Sequence, residues 1–118
     1  MKKLCLIISI LAILSSECYA GQKVEVEYPN NPIIYNKTLT SANTEYSQTL
    51  PSGCNKIMVQ CRTAYDVKIT YTSTESGTTY YTIKANTWLW DDNILGTTRV
   101  LYFQSATAGV ILEILAWY

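Results

Sequence analysis

Val110-Ile111-Leu112-Glu113-Ile114-Leu115-Ala116-Trp117-Tyr118 closes the chain, and its reading decides the fold. The run is apolar, rich in strand formers and carries one charge. With period two, Val110, Leu112, Ile114 and Ala116 face one way, and Ile111, Glu113, Leu115 and Trp117 the other. Only Glu113 interrupts the second face, so both faces read as largely covered. Such a strand lies centrally in a layered sheet or beneath a partner. Left as an exposed tail it would invite aggregation.

Working back from this keystone, Ser105-Ala106-Thr107-Ala108-Gly109 forms a loop. Thr98 to Gln104 is a strand with Val100 and Tyr102 on one face and Arg99, Leu101 and Phe103 on the other, entered from a hairpin that opens at Gly96. Thr87-Trp88-Leu89-Trp90 is a further strand, ended by Asp91-Asp92-Asn93. Thr78 to Ile83 pairs back across the Ser73–Gly77 loop onto Val67 to Thr72, where Val67, Ile69 and Tyr71 share the buried parity. Lys56 to Thr63 buries Ile57, Val59 and Cys61. Upstream lie weaker strands over Thr44–Leu50 and Ile33–Tyr35, and Lys23 to Tyr28 alternates charged with apolar residues. Pro29-Asn30-Asn31-Pro32 breaks that alternation. No segment after the first twenty residues carries a capped 3.6-residue apolar stripe. About eight or nine short strands at a spacing of roughly 8–12 residues predict an all-β fold, an antiparallel β-sandwich of jelly-roll or immunoglobulin-like type.

The chain has 118 residues, room for one domain. Met1-Lys2-Lys3 followed by the apolar run Leu4 to Leu14, with Cys18-Tyr19-Ala20 supplying small residues for cleavage before Gly21, reads as a signal peptide over residues 1–20. The apolar run is short of the roughly 20 residues needed to span a bilayer, so no stable membrane insertion is expected after cleavage. The domain expected over residues 21–118 is thus extracytoplasmic, periplasmic or secreted. It keeps seven of the nine Lys and Arg and eight of the nine Asp and Glu, a net charge of −1. Without clustered positive charge, nucleic acid is not expected as a partner.

Cys54 and Cys61 remain after export, and oxidising compartments favour a disulfide. Along one extended strand, however, seven steps of about 3.3 Å would separate their Cα atoms by roughly 23 Å, against the about 5.5 Å that a bridge requires. Two thiols are therefore expected. Cys61 shares buried parity, whereas Cys54, beside Gly53, sits near a turn that could leave it exposed.

Chemistry is sparse. The chain contains no histidine, which removes the commonest general base and metal ligand. Two cysteines are too few for structural zinc. Asp91-Asp92 is the one adjacent carboxylate pair, read as a solvated turn or, less simply, a calcium ligand set. Glu113 and Asp91 could form a glycosidase couple only if something brought them face to face. The five glycines are never clustered, so there is no phosphate loop. No enzyme and no cofactor are expected. Large amphipathic rings are the remaining signal: Tyr80, Tyr81, Trp88, Trp90 and Trp117 are the candidate binding residues. Trp88 and Trp90, two apart in a strand, emerge on one face and suit stacking on sugar rings; the plainer reading packs one under the sheet edge and the other over a loop or at a subunit contact, with Trp117 also at a subunit contact.

From Ser41 onward the order of segments carries a resemblance. Thr44-Glu45-Tyr46-Ser47-Gln48-Thr49-Leu50-Pro51 leads into Lys56 to Lys68, then Tyr81-Thr82-Ile83-Lys84-Ala85, then Leu101 to Gly109 before Ile111-Leu112-Glu113-Ile114. This resembles small all-β proteins encoded among the structural genes of tailed bacteriophages and prophages. The resemblance covers about two-thirds of the chain and implies a virion-associated or decorating module that binds and packs, commonly as an oligomer. The leader departs from that pattern, since virion proteins assemble in the cytoplasm. The expected function is accordingly a non-catalytic, exported interaction module that self-associates or meets another structural protein. The alternative is a secreted carbohydrate-binding or adhesin-type module whose partner is a glycan.

Overall fold

Alternation of apolar and polar side chains commits each segment to one buried face, and turn chemistry decides where each stops. The computed structural model describes residues 31–94 and 99–118. The expected signal peptide, the expected strand over Lys23–Tyr28, the hairpin expected to open at Gly96 and the expected strand start at Thr98 lie outside the described residues. Within them are eight strands: β1 (Ile33–Leu39), β2 (Tyr46–Thr49), β3 (Lys56–Cys61), β4 (Val67–Thr70), β5 (Tyr81–Ile83), β6 (Trp88–Asp91), β7 (Val100–Gln104) and β8 (Val110–Trp117). The described residues contain no helix. Two four-stranded antiparallel sheets result, ordered β1-β8-β3-β6 and β2-β7-β4-β5.

The pairings follow a simple rule. β1 meets β8, β2 meets β7, β3 meets β6 and β4 meets β5. These are the pairs of one long hairpin whose tip lies between β4 and β5. Two further ladders, β3 with β8 and β4 with β7, roll that hairpin so that alternate pairs fall into opposite sheets.

One buried cluster draws on both sheets, giving a sandwich-like architecture. Leu39, Ile57, Val59, Leu112 and Ile114 come from the first sheet, and Val67, Ile69, Ile83, Leu101 and Phe103 from the second. Each such side chain removed from water contributes roughly 1.5–3 kcal/mol.

The keystone strand is central in its sheet, between β1 and β3. Val110, Leu112, Ile114 and Ala116 are each 0% exposed, whereas Ile111, Glu113, Leu115 and Trp117 are only partly buried. The second face is thus the sandwich's outer surface, covered by flanking side chains and not by the other sheet. The first sheet has one hydrophobic face and one mixed face, as antiparallel sheets commonly do.

Four local expectations need correction. β1 is longer than Ile33–Tyr35, because Asn36, Lys37 and Thr38 continue its register opposite Glu113, Leu112 and Ile111. β5 is shorter than Thr78–Ile83: Thr78 and Thr79 both turn their N–H groups back to the Glu75 carbonyl. Tyr71 does not face into the core with Val67 and Ile69, since β4 ends at Thr70 and Tyr71, 40% exposed, turns to the cleft between the sheet edges. Cys54 is buried, not superficial. The left-handed Gly53 (φ 78°) turns the chain inward, and the Cys54 N–H reaches the Pro51 carbonyl at 3.1 Å. Cys54 and Cys61 are both free thiols, and burial pushes the Cys54 thiol up from its ordinary pKa.

Candidate functional site

Among the described residues, β6 lies at one edge of the first sheet and β5 at one edge of the second. Trp88 and Trp90 point outward from β6, 66% and 47% exposed, as their spacing predicts. Leu89 turns the other way and packs on the core. On the outer face, register places Trp90, Met58, Leu115 and Ile34 in one row across all four strands. The next row, Trp88, Gln60, Glu113 and Asn36, is polar beyond its indole.

Trp117 joins Trp90 at the head of the apolar row, with ring centroids 5.5 Å apart and planes inclined by 51°. The Lys56 ammonium sits over both rings, 5.1 Å from Trp90 and 4.9 Å from Trp117. Contacts of this kind hold an exposed ring in place by about 0.5–1 kcal/mol each. Trp117 is therefore a neighbour that props Trp90.

Beside Trp90, between the two sheet edges, lies a cleft of about 480 Å³. This is within the size range of small-molecule sites. Ile69 and Leu89 line its apolar floor, and Tyr71, Tyr80, Tyr81 and Trp90 are its aromatic walls. Thr70, Thr79 and Asp91 supply polar atoms. The Tyr71 hydroxyl donates to Asp91 Oδ2, tying the end of β4 in one sheet to the end of β6 in the other. Burial and the adjoining carboxylate hold the Tyr71 phenol well above its usual pKa. The Asn93 N–H donates to Asp91 Oδ1 at 3.0 Å, which completes a turn after the strand.

Tyr80 and Tyr81 reach the cleft because the preceding loop is anchored at a distance. The Glu45 carboxylate accepts from the Thr74 N–H at 2.8 Å, the Ser76 N–H at 3.0 Å and the Ser76 hydroxyl at 2.5 Å. Thr74 has φ 69°, an unfavourable conformation for a β-branched residue. The anchor offsets that strain. Burial would raise the Glu45 pKa, but the three hydrogen bonds outweigh it and hold the carboxyl below its ordinary value. Gly77 is small for want of space: an added Cβ would come within 3.1 Å of Gln104 Oε1. The Lys68 ammonium lies 4.4 Å from the Tyr80 ring centre and positions the second wall.

The structure thus brings together Tyr80, Tyr81 and Trp90 at one cleft, with Trp117 behind Trp90 and Trp88 further along the same edge. Tyr71 and Glu45 are the residues that the sequence reading missed as parts of a site, and Asp91, weighed there only as a calcium or glycosidase carboxylate, takes a different place as the partner of Tyr71. Asp91 and Glu113 form no couple. Asp91 follows Leu89's inward parity on β6, whereas Glu113 lies on the outer face of β8. There Glu113 accepts from Gln60 Nε2 at 2.5 Å and Arg62 Nε at 2.7 Å, while Arg62 Nη2 donates to Asn36 at 2.8 Å. Gln60 and Arg62 hold the Glu113 carboxyl below its ordinary pKa. Among the described residues, no three His, Cys, Asp or Glu side chains gather as a cation would require. The arrangement offers stacking surface and hydrogen bonds. No family model matches the chain, and no curated protein or solved structure matches it.

Proposed function

We propose that this chain is a non-catalytic interaction module, exported from the cytoplasm, that acts by surface binding or oligomeric assembly through its aromatic edge. The observation that carries the reading is the gathering of large exposed rings on one edge. Trp88, Tyr81, Trp90 and Tyr80 are 66%, 61%, 47% and 42% exposed there. Stiff amphipathic rings concentrated in one place mark recognition surfaces more than scattered apolar residues do.

The finer fold assignment within this reading is a jelly roll. The nested pairs and the sheet orders β1-β8-β3-β6 and β2-β7-β4-β5 support it. They argue against an immunoglobulin-like sandwich, in which the first two strands share a sheet. The leader pattern over residues 1–20 supports export. The resemblance to small phage virion-associated proteins suggests that the contact is made within an assembly. A carbohydrate-binding or adhesin-type role is the second reading, favoured by the exposure of Trp88 and Trp90 on one face.

Sedimentation velocity of the full chain, with and without reductant, tests the proposal alongside the double variant Trp88→Ala/Trp90→Ala. Expected is either a mass above the monomer, lost in the variant and insensitive to reductant, or retention on a glycan array that the variant loses. A protein that does neither, or a variant that does either as well as the wild type, overturns it.

A further inference from the structure

We infer that the cleft between β5 and β6 is a binding site for a neutral sugar ring, taken from an oligosaccharide or polysaccharide. This rests on the interaction reading above and names its ligand. A pyranose presents apolar C–H faces and a rim of hydroxyls, so its site needs flat rings and hydrogen-bonding groups within one ring's width. The cleft has both. Tyr81 on β5 and Trp90 on β6 are exposed rings beside the cleft, and Tyr80 adds a third; Lys56 and Lys68 lie against Trp90 and Tyr80 and hold them in place.

The polar atoms are arranged to take hydroxyls. The Tyr71 proton is committed to Asp91, so the phenol oxygen is left as an acceptor. Each Asp91 oxygen receives one described hydrogen bond, from Tyr71 or Asn93, and retains a lone pair for a ligand donor. The Thr70 hydroxyl oxygen accepts from the Thr72 N–H at 3.2 Å, which leaves its proton to donate. Two neighbouring acceptors and a donor match vicinal hydroxyls. An apolar ligand would leave them unpaired, at a cost in affinity.

Charge sets the class of sugar. Asp91 is the only charged residue among the described lining residues, and it is an anion. Uronates, sulfated sugars and phosphates would meet it with like charge, while the nearby cations Lys56, Lys68 and Arg99 are each stacked on a wall ring, Trp90, Tyr80 and Tyr71. Trp88 continues the exposed edge two residues from Trp90, a rise of about 6.6 Å along the strand. A chain of several rings therefore gains a contact that a monosaccharide lacks.

The test is isothermal titration calorimetry of the full chain with neutral hexasaccharides of glucose, mannose, xylose and N-acetylglucosamine. Matched monosaccharides and an oligogalacturonate serve as controls. Expected is binding of at least one neutral hexasaccharide, at least tenfold weaker for its monosaccharide and absent for the uronate. Tyr81→Ala, on a side chain 61% exposed and so harmless to the core, should weaken binding at least tenfold. Asp91→Asn, checked for an unchanged thermal midpoint, should weaken it several-fold. Failure of every neutral hexasaccharide at millimolar concentration overturns the inference. So does tighter binding of the uronate, or binding that Tyr81→Ala leaves intact. If sugar binding fails while self-association sensitive to Trp88→Ala/Trp90→Ala persists, the sugar assignment falls and the interaction reading stands. If both fail, both fall.

Discussion

Ile114→Ala and Ile34→Ala make the same chemical change on opposite faces of one sheet. Ile114 is 0% exposed on the inner face of β8, and Ile34 is 63% exposed on the outer face of β1. The two strands are paired, Ile34 opposite Leu115 and Ile114 opposite Tyr35, so the loss of strand propensity is similar in both variants. At Ile114 the change deletes three methyl or methylene groups from the core, worth about 0.8 kcal/mol each, or roughly 2.5 kcal/mol. A residual void on the order of 50 Å³ adds about 1 kcal/mol. The expected loss is about 3–4 kcal/mol, equivalent to about 15–25 °C in a domain this small. At Ile34 little more than a third of the side chain leaves water and no closed cavity forms, so the loss is about 1 kcal/mol. Urea unfolding followed by tryptophan fluorescence reads both as midpoint shifts at constant slope. Equal losses at the two sites, or less than about 1 kcal/mol at Ile114, would refute the one-sided burial of this sheet.

Glu45→Gln should cost about 1–2 kcal/mol at neutral pH by weakening three charge-assisted hydrogen bonds. Because the folded-state pKa of Glu45 is depressed, its contribution is present above the ordinary carboxylate value and lost as pH falls through the folded value. The stability gap between wild type and variant should therefore close on acidification; a gap independent of pH would contradict the anchor. Gly109→Ala should cost about 1 kcal/mol, entirely from the backbone, since φ is 75° and an added Cβ meets nothing within 4 Å. A neutral substitution, read by thermal melting, would argue against the left-handed turn before β8. Native-state alkylation followed by peptide mass spectrometry should leave Cys54 and Cys61 unmodified until denaturant is added, as both are buried free thiols. Prompt labelling of Cys54 would contradict its burial.

Strand identity was legible where alternation was strong. Val67 with Ile69, Leu101 with Phe103 and the inner row of β8 all bury the residues that period two selects. Strand pairing was not legible. Nothing in the spacing of Val110 to Trp117 says that β8 lies between β1 and β3, because register depends on contacts far apart in the chain. Tyr71 misled for a related reason: parity predicts its direction only while the strand continues, and β4 stops one residue earlier. At the site, the shared face of Trp88 and Trp90 followed from their spacing. The meeting of Trp90 with Tyr80 and Tyr81 required two edge strands from different sheets to come side by side. The Glu45 anchor, 31 residues from Ser76, left no local trace.

On the proposed function, the β5–β6 edge, with Trp90 at its centre, is where this protein meets its partner. The most direct test is the ¹⁹F spectrum of the full chain labelled with 5-fluorotryptophan, which reports the three tryptophans separately. It would be recorded during titration with the neutral hexasaccharide that binds in calorimetry and, separately, across the concentration range used for sedimentation. The largest shift should fall on Trp90, with a smaller one on Trp117 through their 5.5 Å contact. Three resonances that stay fixed in both series, or a response confined to Trp88, would contradict it.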